Sequence, residues 1–292
     1  MKGITANVII YAIIINYNKI NQPIMKISIY IQNYERDLRQ IRFSEATIKN
    51  YSSNLKLFLE YFSKKDSPKH ISIDEIKNYL TQVANNSNYQ NAVHSSIKKF
   101  YELTMQQKNK FSFIPYAKKE RKIPLVIDMD FLKLKIEGIQ NLKHKAILTL
   151  TASVGLRVSE IINLRISDID SKTMSIHIKN AKGKKDRIVP LTENVLTLIR
   201  SYYKQYKPID YLFNGQNKAP QYSDRSCNQL VKKHIGKQYH MHTLRHSTAT
   251  DLFEKGVDLK LIGDLLGHKS RKTTEIYCHT STKSLQKLPL SM

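Results

Sequence analysis

The chain has 292 residues, with 48 Lys and Arg against 24 Asp and Glu, for a net charge of +24. A balance this basic points to a polyanionic partner, because each neutralised phosphate releases condensed counterions. A hydrophobic content of 41 % excludes a basic disordered tail, and two widely spaced cysteines, Cys227 and Cys278, exclude a disulfide scaffold or a cysteine metal cluster. Cysteine usage this sparse fits a reduced, intracellular protein. Residues 1–120 carry 18 basic and 9 acidic side chains and residues 121–292 carry 30 and 15, so both halves are positive. That spread predicts a two-sided grip on the polyanion rather than one basic patch. The length predicts two domains.

In chain order, Val8 to Tyr17 (VIIYAIIINY) is strongly apolar, but it has only about half of the roughly 20 residues that a membrane span requires. We read residues 1–24 as a non-native extension, with Met25 as the start of the patterned chain. Residues 25–113 read as a helical domain. Ser44 is placed to cap a helix in which Ile48, Tyr51, Leu55, Phe58, Leu59 and Phe62 share one face. Ser72 and Glu75 form a capping box for a helix carrying Ile73, Ile76, Tyr79, Leu80 and Val83, and a third stripe runs through Val93, Ile97, Phe100, Tyr101 and Leu103. Residues 114–127 (IPYAKKERKIPLVI) contain two prolines and a charge run without helical period, which predicts an interdomain linker.

Residues 128–292 read as a mixed domain. Helices are expected around 129–138, 143–155, 157–164, 192–206, 223–235, 243–255, 258–266 and 271–279. Between Ser171 and Leu191 the period changes to two, with Met174, Ile176 and Ile178 alternating. The polar run NAKGKKD follows, and then Ile188 and Val189, which predicts a β-hairpin with Lys182 near its tip. The fold class expected is therefore mainly α with a small β-sheet.

Six residues of this second domain form a telling set: Arg157, Lys182, His242, Arg245, His268 and Tyr277. Two arginines can clamp one phosphate, a lysine and a histidine can move protons, and a phenol can attack phosphorus. Each member also has an ordinary reading. Arg157 and Glu160 are spaced for a helix salt bridge, Lys182 is placed as an exposed turn residue, and His242-x-x-Arg245 is a pattern that chance supplies often. His268 follows Gly267 at a helix end, where glycine permits a turn that swings the imidazole away. Tyr277 is one of 17 tyrosines. His246 and His279, which flank members of the set, are expected to be structural or to make minor DNA contacts, and Glu160 is expected to buttress Arg157.

Taken together, GLRVSE, KGKKDRIVPL, HTLRHSTAT, LLGH and EIYCH resemble, in order and spacing over residues 130–285, the motif series of the tyrosine recombinases, the phage integrase and Xer-type family. The resemblance implies a helical SAM-like core-binding domain followed by a catalytic domain. It gives Arg157 and Arg245 the role of phosphate clamp, Lys182 that of proton donor to the departing 5′-oxygen, and His242 that of likelier base. His268 becomes the second histidine and Tyr277 the nucleophile, forming a 3′-phosphotyrosyl link without metal, cofactor or ATP. Lys184 and Lys185 compete locally with Lys182, which is preferred for its Lys-Gly pair. The implied partners are double-stranded DNA and other copies of the chain, as a homo-tetramer or paired dimers on two DNA sites, in the cytoplasm and without a membrane. Two other readings stand beside this one: a type IB topoisomerase-like enzyme, and a DNA-binding protein of the same fold whose catalysis has decayed.

Overall fold

A computed structural model describes residues 25–83, 86–118, 124–179, 186–215, 219–268 and 270–279. The chain divides into two compact units, Met1–Arg121 and Lys122–Met292.

The first unit is built on four helices, α1 (Ile27–Gln40), α2 (Glu45–Tyr61), α3 (Ile73–Gln82) and α4 (Ser87–Leu103). Ser44 Oγ accepts from the Thr47 amide at the start of α2. At the start of α3, Ser72 Oγ accepts from the Glu75 amide while the Glu75 carboxylate accepts from the Ser72 amide at 2.8 Å. The capping box thus satisfies two amides that the first helical turn leaves without partners. The apolar stripes meet in a core of Leu38, Leu55, Phe58, Leu59, Ile76, Ile97 and Phe100. Aromatic pairs within it pack edge to face, with Tyr34 and Phe100 at 5.6 Å and Phe58 and Tyr79 at 5.2 Å. The start of the proline-containing stretch is tied to α4. Asn91 exchanges two hydrogen bonds with the backbone of Ala117, and His94 Nε2 meets the Ile114 carbonyl at 2.9 Å.

The second unit begins with α5 (Met129–Glu137), α6 (Leu142–Val154) and α7 (Val158–Asn163). A sheet follows, β1 (Ile169–Asp170), β2 (Ser175–Ile178) and β3 (Arg187–Pro190), antiparallel and in that order. The hairpin expected from the alternation is β2–β3, with Ile176 opposite Val189 and Ile178 opposite Arg187. The strand β1 was not anticipated, since two residues are too few to show a period. Completing the unit are α8 (Glu193–Tyr206), α9 (Asp224–His234), α10 (Met241–Glu254), α11 (Leu259–Leu266) and α12 (Arg271–Thr274), the last running into a 3₁₀ turn, Glu275–His279. The helix α6 is buried on nearly every side through Ala146, Ile147, Leu148, Leu150, Thr151, Ala152 and Val154, and it packs against α8 and α10. The Ile127 amide donates to Ser247 Oγ on α10 at 2.8 Å. No described helix is long and apolar enough to cross a membrane.

Candidate active site

Two glycines create the geometry. Gly155 ends α6 in the left-handed conformation (φ +64°) and Gly267 ends α11 in the same way (φ +66°). A Cβ on Gly155 would lie 2.5 Å from a methyl of Leu266, and one on Gly267 would press on the Arg187 guanidinium. Both positions therefore require glycine for conformation and for space. The two turns bring Arg157, at the start of α7, against the end of α11.

Three guanidiniums converge on that helix end. Arg187 Nε donates to the Leu265 carbonyl at 2.8 Å, Arg245 Nη2 to Leu266 at 2.6 Å, and Arg157 Nη2 to Gly267 at 2.7 Å. Three successive carbonyls at the negative end of a helix are thus each met by a different arginine. Arg245 also donates to the Gly155 carbonyl and is only 1 % exposed. Burial, and next the charge of Arg157, push its pKa down to about 10, which leaves it cationic at neutral pH.

Glu160 holds the other two arginines. Its carboxylate accepts from Arg157 Nη1 at 2.8 Å and, in a fork, from Arg187 Nη1 and Nη2 at 2.8 and 2.9 Å. Burial alone would raise its pKa, but the hydrogen bonds from Arg187 and from Arg157 outweigh burial and hold it below the usual carboxylate range. Three cations and one anion leave this cluster positive by two charges, as a site for a phosphodiester needs.

The phenol of Tyr277 is 1 % exposed. Its ring stacks parallel to His268, with centroids 6.1 Å apart at 18°, and its oxygen lies 3.1 Å from His246 Nδ1. Burial raises the phenol pKa, and the opposing pull of Arg245 and Arg157 does not cancel it, so Tyr277 is protonated at neutral pH. His268 Nδ1 meets Thr274 Oγ1 at 2.9 Å. Burial and the nearby Arg245 and Arg157 lower the His268 pKa to about 4, and burial with His242 and Arg245 lowers that of His246 to about 4. Both imidazoles are neutral at physiological pH.

Of the six residues singled out in the sequence, Arg157, Arg245, His268 and Tyr277 lie in one cluster. His242 is exposed, unlike its helix neighbour Arg245, and its ring lies 4.6 Å from that of His246. Lys182 lies outside the described residues. Two further residues join the cluster. His246 was expected to be structural or to make a minor DNA contact, and it meets the phenol. Arg187 was passed over, although its register carried a signal: it pairs with buried Ile178, and directly opposed residues share a face of the sheet. Among the described residues, no group of three or more His, Cys, Asp or Glu is arranged to hold a metal ion.

Residues 129–284 match the model of the phage integrase family, and residues 30–110 match that of the phage integrase N-terminal SAM-like domain. The chain belongs to the phage integrase family. It is a tyrosine recombinase, an enzyme of site-specific DNA recombination. It is 32 % identical over 268 residues to a tyrosine recombinase of Pseudothermotoga lettingae, covering 85 % of this chain and 93 % of that one. It is 30 % identical over 272 residues to the tyrosine recombinase XerC of Staphylococcus haemolyticus, covering 85 % and 91 %. Among solved structures, the XerH site-specific recombinase in a pre-cleavage complex with difH substrate is similar with a TM-score of 0.66 and 25 % identity, over 82 % of this recombinase and 77 % of that chain.

Proposed function

We propose that Tyr277 is the nucleophile of this recombinase and that Arg157 and Arg245 grip the scissile phosphate. The observation that carries the reading is the convergence of a buried phenol and two guanidiniums on the final turn of α11. In the forward step a Tyr277 Oη–P bond forms and the P–O5′ bond breaks, leaving a 3′-phosphotyrosyl link and a free 5′-hydroxyl. The phenol proton passes to a base, and the departing oxygen takes a proton from Lys182. His242 and His268 hydrogen-bond the non-bridging oxygens as charge develops there. The bond energy is kept in the phosphotyrosyl ester, so attack by the 5′-hydroxyl of a second strand reverses the step without ATP.

Exchange between two duplexes cuts four strands, and each copy of the chain supplies one Tyr277. A homo-tetramer on two DNA sites follows from that stoichiometry, and sedimentation of the protein on DNA carrying two selected sites measures it. The two compact units correspond in this reading to a core-binding domain (25–113) and a catalytic domain (128–292), joined by 114–127.

The test is covalent capture. Wild type and Tyr277→Phe are incubated with nicked duplexes, first from DNA flanking the gene and then from a random-sequence library, and resolved on denaturing gels. An adduct with wild type alone is expected. DNA retention without an adduct from either protein across the library would sink the reading in favour of a binding protein. Relaxation of supercoiled DNA of any sequence would favour the topoisomerase-like alternative.

A further inference from the structure

We infer that His246 is a further catalytic residue, the group that takes the phenol proton from Tyr277 as it attacks. The inference rests on the reading of Tyr277 as nucleophile. Three observations carry it. His246 Nδ1 lies 3.1 Å from Tyr277 Oη, within the reach that a general base requires. Its ring is half-buried and fixed between the tilted Tyr277 ring at 5.6 Å and the edge-on His242 ring at 4.6 Å. Its position on α10 is set by the neighbouring residue, because Arg245 is locked to two backbone carbonyls.

Burial and, after it, the charges around His246 keep the ring neutral. His242, Arg245 and His240 all oppose a proton on it, and burial opposes it more strongly still. A neutral imidazole holds its lone pair on one nitrogen, and in the Nε2–H tautomer that nitrogen is Nδ1, the one beside the phenol. In free protein such a ring is a weak base. An arriving phosphodiester adds negative charge beside the cationic cluster, which raises the affinity of His246 for a proton at the moment the phenol must lose one. As the Oη–P bond forms, the proton moves from Oη to Nδ1. On religation the imidazolium returns that proton to Tyr277 as its phenolate leaves phosphorus, so the same residue serves both directions. His242, exposed and one turn away on the same helix, is left to meet the phosphate.

The experiment uses the full-length chain and a nicked half-site duplex recovered from the random-sequence library by covalent capture with wild type. Single-turnover adduct formation is compared for wild type, His246→Asn and His246→Gln, with DNA affinity and unfolding midpoint measured in parallel. Asn keeps an acceptor near the Nδ1 position but cannot take a proton. Both variants are expected to lose about 100-fold or more in rate while DNA affinity stays within about threefold. Replacing Tyr277 by a ring-fluorinated tyrosine, whose phenol ionises more readily, is expected to recover at least about tenfold of the rate in His246→Asn and little in wild type, as Brønsted behaviour requires. A sulfur leaving group at the 5′ position, which needs no protonation, is expected to leave the His246→Asn defect in place. Rates within threefold of wild type for a folded variant, or a fluorotyrosine effect equal in both backgrounds, would overturn the assignment while leaving Tyr277 as nucleophile. No wild-type adduct on any duplex in the library would overturn both.

Discussion

The helices α2 and α10 are built on opposite principles. The helix α2 buries one apolar stripe, with Ile48, Leu55, Phe58 and Leu59 inward and Lys49, Lys56 and Glu60 outward. The helix α10 buries Met241, Thr243, Leu244, Arg245, Ser247, Thr248, Ala249 and Thr250, so polar and apolar groups are inside together. Each buried polar group there has a partner. Thr248 Oγ1 donates to Ala152 and Leu244 carbonyls, Ser247 Oγ to that of Thr243, and Arg245 to those of Gly155 and Leu266. The same division holds for the two units. Every buried charged side chain among the described residues, Glu160, Asp168 and Arg245, belongs to the second. One unit is held together chiefly by area removed from water and is forgiving. The other has a large apolar core of its own, but around α10 and α11 it adds hydrogen-bonded charge, where losing one partner strands another.

Glu160→Ala is the most severe way to test that contrast. It leaves the half-buried Arg157 and Arg187 without the shared carboxylate that is itself buried, so a loss of roughly 3 kcal/mol in denaturant unfolding is expected, and adduct formation is expected to disappear with it. A loss below about 1 kcal/mol would mean that the arginines find water or other partners, and the contrast would fail.

Acid is expected to act next, and on the second unit. His246 and His268 have pKa values of about 4 in the folded protein, against about 6.5 in an unfolded chain. Between these values the unfolded state binds more protons, so stability is complete above about pH 6.5 and falls as pH drops toward 4. Thermal unfolding of wild type and of His268→Gln over that window measures the effect, and the substitution is expected to flatten the slope. Hydrogen exchange should place the acid-induced loosening at Tyr277 and the end of α11, not in α2 or α4.

The smallest effect belongs to the first unit. Ser72→Ala removes one half of a capping box on an exposed helix start and should cost about 1 kcal/mol without altering the adduct rate of the folded protein. A change in that rate would show that the helical unit reaches the chemistry through more than DNA grip.

The same contrast explains what could be read in advance. The apolar stripes, Ser44, the Ser72–Glu75 box and the hairpin are local, because period and capping act within a few residues. Arg157, Arg245, His268 and Tyr277 were legible from their order along the chain and its family resemblance, not from any local rule. Arg187 and His246 were not, since one meets a carbonyl 78 residues away and the other a phenol 31 residues away. Such pairings exist only once α11 and the 3₁₀ turn are folded against α10.

The three carbonyls at the end of α11 have a thermodynamic consequence. A free arginine side chain carries about 2 kcal/mol of rotamer entropy, and Arg157, Arg187 and Arg245 lose theirs when the helix end docks, before any substrate arrives. Each guanidinium has five N–H donors, and two of those on Arg245 are committed to backbone. Under the reading proposed above, a phosphate is offered donors that are already aimed, and it binds without having to order them. The last turn of an ordinary helix is then the jig in which that clamp is set.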